Sequence, residues 1–429
     1  MRYRFYNARL LTMARGLDVT EGELWTEDDT IRLVGTPKEA APEGGFDEEI
    51  DCRGNLLMPG FKNAHTHSGM SLMRSSADDR SLDDWLNKSI FPIEARMTGD
   101  DIYTLSKISF MEYLTSGITA AMDMYLTPET IAAAAADSGF RCVQVGAMND
   151  FSQSAQLLEQ MYERLNGRDP YNSYMLGFHA EYTTCEDNLK KVAELAHSLR
   201  SPVWAHISET ASEVEGCRKR HGRSPVRYLA DMGLFDYGGG GYHLVHVDDD
   251  DMDILKEKGM YAVSCPGSNT KLSSGIAPIA EYVKKGIPVA IGTDGPASNN
   301  CLDMFREMFL VTGLQKLKNH DAAAMDAGKV LEMATVTGAR AMGLTDCDVL
   351  AAGKKADLIM IDMHKPNMQP VNNIPKNLVY SGSKDNVRLT MIGGVIRYRD
   401  GEFNIGADPE EIYAEAMKIK ARIYGELEA

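Results

Sequence analysis

The sequence predicts an α/β protein: a (β/α)8 TIM-like barrel carrying a small β-sandwich domain built from both chain termini. Three observations point there. Eight short apolar runs, at residues 56–65, 117–124, 141–148, 175–179, 202–206, 242–247, 261–265 and 288–294, alternate with helix-patterned stretches. The two chain ends differ from this middle, with short alternating runs broken by turns. Of the ten histidines, six (His65, His67, His179, His206, His243 and His246) lie at or near the ends of the apolar runs. A doubly wound open sheet is the competing topology, but no Gly-x-Gly-x-x-Gly follows a strand to favour a dinucleotide fold.

Taken in order, residues 3–11, 30–34 and 49–51 read as small antiparallel strands, with a Pro/Gly/Ala-rich loop over 37–45. The same texture returns at 356–362, 386–392 and 395–398. Residues 1–56 plus 346–405 are therefore expected to form one discontinuous β domain around a catalytic barrel of 57–345. The segment 406–429 closes the chain, with a mixed-charge helix over 408–427. Helical stretches at 128–138, 188–199, 249–258 and 279–285 separate the barrel strands. The glycine run 238–241 reads as a loop before a strand, and no Lys-Ser/Thr follows to make it a phosphate loop.

Composition bounds the function. The chain has 429 residues, 44% hydrophobic and 25% charged, as in ordinary globular proteins. A formal net charge of −17 disfavours nucleic acid and anionic membranes as partners. No apolar stretch is long enough for a transmembrane helix, and the first residues lack a signal-peptide core. Seven cysteines at irregular spacing suit reduced thiols in a cytoplasm.

The chemistry concentrates at strand ends. His65 and His67 are two apart, so on a strand they share one face and can grip one metal ion. Alone, the pair is equally well read as two surface histidines after the Pro59-Gly60 turn. The remaining strand ends change the balance. His179 closes the fourth run, His206 the fifth and Asp294 the eighth. Buried imidazoles need partners, and a shared metal supplies one. His65, His67, His206 and Asp294 make a set of three nitrogens and one carboxylate that suits zinc, with iron(II) or another divalent ion as the alternative. No lysine at the fourth strand end offers itself to bridge a second ion, so one ion is expected. Glu209, three residues past His206, is placed to shuttle a proton without ligating; its plainer reading is a charge at a helix N-terminus. His243 and His246 are three apart and face opposite ways on a strand, and parity does not choose between them.

These residues carry a resemblance. Pro59-Gly60-Phe61 with His65-Thr66-His67, His206-Ile207-Ser208-Glu209, Pro266-Gly267-Ser268-Asn269 and Gly292-Thr293-Asp294-Gly295 resemble the amidohydrolase superfamily. Longer runs narrow it. Leu82-Asp83-Asp84-Trp85-Leu86, Phe91-Pro92-Ile93-Glu94, Gly275-Ile276-Ala277-Pro278-Ile279 and Asp294-Gly295-Pro296-Ala297-Ser298-Asn299-Asn300 look like the branch of 5-methylthioadenosine/S-adenosylhomocysteine deaminases. The resemblance implies metal ligation by His65, His67, His206 and Asp294, and proton handling by Glu209, His243 and Asp294. It favours His243 over His246, and implies purine packing by Trp85 and ribose contacts from Glu94 and His179. It also implies hydrolytic deamination of an adenine nucleoside. Another amino-heterocycle (guanine, cytosine, a pterin or a triazine) is the nearest alternative, and a catalytically silent binding barrel the more distant one. The expected partner is a small molecule, with a homo-oligomer left open. The sequence departs from this pattern twice. Glu181 stands where the fourth-strand motif usually has proline, which places an extra carboxylate at the mouth. No arginine follows the third strand, where such proteins hold the amino-acid tail of S-adenosylhomocysteine.

Overall fold

A computed structural model describes residues 1–37, 41–80 and 82–428. Residues 38–40 of the expected 37–45 loop, and Ala429 of the closing segment, lie outside the described residues. The centre is an eight-stranded parallel sheet in sequential order. Its strands are β1 (Phe61–Thr66), β2 (Ile118–Asp123), β3 (Arg141–Val145), β4 (Asn172–Ala180), β5 (Val203–Ile207), β6 (Gly239–His243), β7 (Tyr261–Ser264) and β8 (Val289–Ile291). Helices cover the outside and side chains fill the inside, so most strands are buried along their whole length. Two-sided burial is why they read as apolar runs rather than alternating ones.

At least one helix follows each strand, and eight of them are α1 (Gly99–Thr115), α2 (Pro128–Ser138), α3 (Ala155–Leu165), α4 (Glu186–Leu199), α5 (Ala211–His221), α6 (Asp249–Glu257), α7 (Ile279–Lys285) and α8 (Met304–Asn319), with shorter turns between. Their starts are written locally. Thr98 with Asp101, and Asp248 with Asp251, form reciprocal capping boxes at α1 and α6. Pro128 opens α2, and Gly139 ends it in a left-handed conformation.

The barrel closes between β1 and β8. The Asp294 N–H donates to the His65 carbonyl at 3.0 Å. The Asn63 side chain accepts from Thr293 N and donates to Thr293 Oγ1. Gly292 is required at this seam, because a Cβ there would sit 2.8 Å from both His65 Cβ and His65 N.

The second body is a nine-stranded mixed sheet from both ends of the chain. Its path runs Glu402–Phe403, Val395–Arg399, Val387–Ile392, Leu358–Ile361, Leu56–Pro59, Arg2–Met13, Gly16–Glu27 and Thr30–Gly35, with Glu48–Asp51 also paired to Arg2–Met13. Leu24 and Ile31 from one end of that path join Leu389 and Met391 from the other in one apolar cluster. The sheet thus folds over its own core as a small sandwich. The run beginning at residue 56 divides at Gly60: Leu56–Pro59 pairs within this sheet, and Phe61–Thr66 enters the barrel. A buried bidentate pair ties the two bodies, with Arg141 Nε and Nη2 on the Asp357 carboxylate at 2.8 and 2.9 Å. The closing helix, Pro409–Glu428, lies against α1 and pairs Arg422 with Asp101 at 2.5 Å.

One expectation is overturned. Gly239, Gly240 and Gly241 are not a loop but the first three residues of β6. Their lack of side chains is what admits β5: a Cβ on Gly239 would lie 1.9 Å from the Val203 carbonyl oxygen, and one on Gly240 would lie 2.3 Å from the Trp204 ring.

Candidate metal and proton-transfer site

Side chains from six strand ends converge at the C-terminal face of the barrel, where barrel chemistry is expected. His65 sits in β1, and His67 one residue beyond it. Their rings lie 4.7 Å apart, nearly perpendicular. His206, in β5, brings Nε2 to 3.1 Å from His65 Nε2. Asp294 Oδ1 lies 3.2 Å from His67 Nε2 and 3.6 Å from His65 Nε2. Two overlapping donor groups result: His65, His67 and Asp294, and His65, His206 and His243. All are buried.

The donor set fits a divalent cation. His67 Nδ1 faces the Met124 carbonyl at 2.5 Å, and His206 Nδ1 faces the His179 carbonyl at 2.8 Å. A carbonyl only accepts, so both Nδ1 atoms carry a proton, which turns each Nε2 toward the cluster: that of His206 toward His65 and that of His67 toward Asp294. Burial first, then the neighbouring imidazoles, push His65 and His206 well below the ordinary histidine value. Two neutral imidazoles aim nitrogens at each other, next to a carboxylate held far below its usual range by His67, a close-set donor group of the kind a divalent cation joins. His65 is steadied differently: it stacks on Tyr242 at 3.7 Å, and its Nδ1 has no hydrogen-bond partner.

Glu209 stands beside this cluster and outside both donor groups. It is buried, with Oε2 3.8 Å from His243 Nε2 and Oε1 accepting from Ser274 Oγ at 3.1 Å. The helix cap that was its plainer reading belongs to its neighbours: Thr210 caps α5, and the Glu213 carboxylate accepts the N–H groups of Ser208 and Glu209.

His243 is the histidine that enters the site. β6 ends at His243, where His243 and Leu244 both turn left-handed with φ of 70° and 44°. Strand parity therefore stops applying before His246 is reached. His246 lies outside the donor groups and bonds the Ser274 carbonyl through Nε2 at 2.7 Å.

Of the expected substrate contacts, Glu94 and His179 lie near the cluster. Trp85 is buried with its indole N–H unpartnered. Glu94 is half-buried beside Tyr125, and burial pushes its carboxyl up to about 7. His179 is half-buried, its Nδ1 2.8 Å from Thr183 Oγ1, its ring 5.0 Å from that of His206.

Glu181 departs from expectation. It does not stand as a free carboxylate at the mouth. It is 5% exposed and pairs with Arg220 at 2.5 Å and His221 at 3.0 Å, on the last turn of α5. Three supporting residues had no role in the sequence reading: Ser268 and Asn269 entered it only as part of a family motif, and Ser274 did not enter it. Ser268 Oγ donates to Asp294 Oδ2 at 2.6 Å, Asn269 Oδ1 faces His243 Nδ1 at 2.8 Å, and Ser274 holds Glu209. Only the recurrence of Ser and Asn just past a strand end could have flagged them.

Comparison with known proteins agrees with this geometry. The model of the Amidohydrolase family matches residues 56–397. The chain is 40% identical over 425 residues to a 5-methylthioadenosine/S-adenosylhomocysteine deaminase of Thermoanaerobacter pseudethanolicus, covering 96% of this chain and 97% of that one. It is 37% identical over 394 residues to a 5'-deoxyadenosine deaminase of Methanothermobacter thermautotrophicus, covering 90% and 91%. Among solved structures, a zinc-bound adenosine deaminase from Xanthomonas campestris superposes with a TM-score of 0.93 at 30% identity, covering 99% and 98%. With the barrel, the histidine cluster and this match over most of its length, the chain belongs to the amidohydrolase family of hydrolases.

Proposed function

We propose that the chain is a metal-dependent hydrolytic deaminase of an adenine nucleoside, with 5-methylthioadenosine the leading substrate. The carrying observation is Glu209, a buried non-donor carboxylate 3.8 Å from His243 beside a histidine and aspartate cluster. Metal-assisted deamination needs such a group to bring a proton to the ring. The deaminase relatives support the substrate class.

In this reading His65, His67, His206 and Asp294 hold one divalent ion per chain, most simply zinc. When bound, the ion lowers the pKa of a water and makes hydroxide available near neutral pH. Glu209 delivers a proton to the ring nitrogen beside the amino-bearing carbon. His243 and Asp294 orient the nucleophile and take up its proton, and ammonia leaves. Trp85 packs on the purine and offers its free N–H. His179 donates its Nδ1 proton to Thr183, whose hydroxyl donates to the Ala180 carbonyl, so His179 Nε2 accepts from a ribose hydroxyl. Glu94 accepts from ribose once ionised.

Residues 143–154 contain no arginine, so the carboxylate of an S-adenosylhomocysteine tail lacks a bidentate partner there. A smaller 5′ group suits the site better. The chain works in this reading on a small molecule, not nucleic acid or membrane, as a homo-oligomer or alone. Seven free thiols suit a cytoplasmic setting. Among the described residues no helix is long and apolar enough to cross a membrane.

The test is ammonia release by zinc-loaded protein from 5-methylthioadenosine, 5'-deoxyadenosine, adenosine, S-adenosylhomocysteine, guanine and cytosine. Turnover of 5-methylthioadenosine without S-adenosylhomocysteine supports both parts of the reading. Failure on every adenine nucleoside moves the substrate to another heterocycle.

A further inference from the structure

The end of β7 supplies no metal donor, yet the segment after it reaches each proton-handling group. The helical turn Pro266–Lys271 begins there. Ser268 supports Asp294, and the Asn269 side chain supports His243. The chain then doubles back. The Ser274 N–H donates to the Asn269 carbonyl at 2.9 Å, while the Ser274 carbonyl accepts from His246 Nε2 at 2.7 Å. This fixes the backbone of Ser274 on both sides. Its hydroxyl, on a residue 5% exposed, then meets Glu209 Oε1 at 3.1 Å and leaves Oε2 facing His243. Gly275 permits the turn at φ of 126°, with a Cβ there reaching 2.9 Å from Val245 Cγ1.

A carboxylate rotates about its terminal bonds with little hindrance. Among the described residues, the Ser274 hydroxyl is the hydrogen-bond donor on the Glu209 carboxylate, and a donor on one oxygen selects the rotamer that points the other at His243. We propose that Ser274 is a positioning residue: its hydroxyl holds Glu209 in the orientation facing His243, and so governs the proton-handling step rather than metal or substrate binding. Asn269 is the shared node, setting His243 through its side chain and Ser274 through its backbone. His246 is the anchor of the brace rather than a second site histidine. The inference rests on the deaminase reading, since it assigns Glu209 a proton to carry.

The experiment compares full-length zinc-loaded parent, Ser274→Ala, Glu209→Gln and the double variant, using 5-methylthioadenosine as probe. Ser274→Ala is expected to lower kcat about tenfold, the effect of one lost buried hydrogen bond, with KM and zinc content unchanged. In the double variant the Ser274→Ala change should cost nothing further, because its effect passes through Glu209. An unchanged kcat in Ser274→Ala, or a second independent loss in the double variant, overturns the proposal. Full activity in Glu209→Gln would instead bring down the deaminase mechanism itself, and the positioning role with it. Crystal structures of the parent and Ser274→Ala give a readout independent of the substrate. Glu209 Oε2 should face His243 in the parent and rotate away in the variant; an unmoved carboxylate overturns the proposal even if no adenine nucleoside is turned over.

Discussion

Glu209 Oε2 lies 3.8 Å from His243 Nε2, although the two residues leave adjacent strands in different ways. Glu209 follows the end of β5 after a left-handed Ser208, and His243 is the left-handed last residue of β6. Each is turned inward by its own backbone, and Glu209 lies outside both donor groups. Glu209→Gln is therefore expected to keep the metal and lose at least about a hundredfold in kcat, since it removes a proton carrier but no ligand. Metal analysis beside steady-state kinetics checks this.

Metal removal should cost activity and stability together. Stripped of an ion, His65 and His206 leave two imidazole nitrogens 3.1 Å apart in a dry site. Treatment with a chelator is expected to abolish turnover and lower Tm, and added zinc should restore both with a Tm that rises with free zinc. Equal Tm with and without metal would contradict the ligand assignment.

Glu181 should matter to stability rather than to substrate choice. Its carboxylate is buried and its partners are partly exposed. Glu181→Ala is expected to cost about 1–3 kcal/mol, because Arg220 and His221 lose one shared acceptor but can turn to water. Denaturant unfolding measures the loss; KM for the nucleoside should stay near that of the parent.

Glu307 gives a pH signature. It lies fully buried on α8, accepting from Gly267 N and Asn299 Nδ2, and burial pushes its carboxyl up to about 8. The folded chain therefore holds this proton more tightly than the unfolded chain, whose carboxyl titrates near 4.5. Its contribution to stability is fully present below the unfolded value and is lost as pH rises toward 8. Across that window the slope is about 1.4 kcal/mol per pH unit for one proton. Glu307→Gln should flatten the dependence, measured as unfolding free energy between pH 5 and 8.

The parts of the site legible in the sequence are those governed by a simple period. His65 and His67 could be paired because side chains alternate on a strand, and His206 and Asp294 because they close apolar runs. Parity failed for His243 and His246 because φ turns positive at His243, and nothing in the residue type announces a left-handed histidine. The glycines 239–241 looked like a loop because glycine usually signals one; here they admit the Val203 backbone and the Trp204 ring. Glu181 read as a mouth carboxylate because its partners, Arg220 and His221, lie some forty residues on and only the folded α5 returns them. The roles of Ser268 and Asn269, visible only as part of a family motif, and of Ser274 were hidden for the opposite reason: such residues are common in any turn.

The seam at Gly292 has a consequence for assembly. His65 and Asp294 share a backbone hydrogen bond across the barrel's closing edge, and both face the donor cluster. An ion held by the two would act as a clasp between the first and last strands. A chain ending before residue 289 would carry the histidines of β1, β5 and β6 yet lack the closing partner. Tight cation uptake would then report ring closure, and the moment of capture during folding would mark the completion of the barrel rather than its beginning.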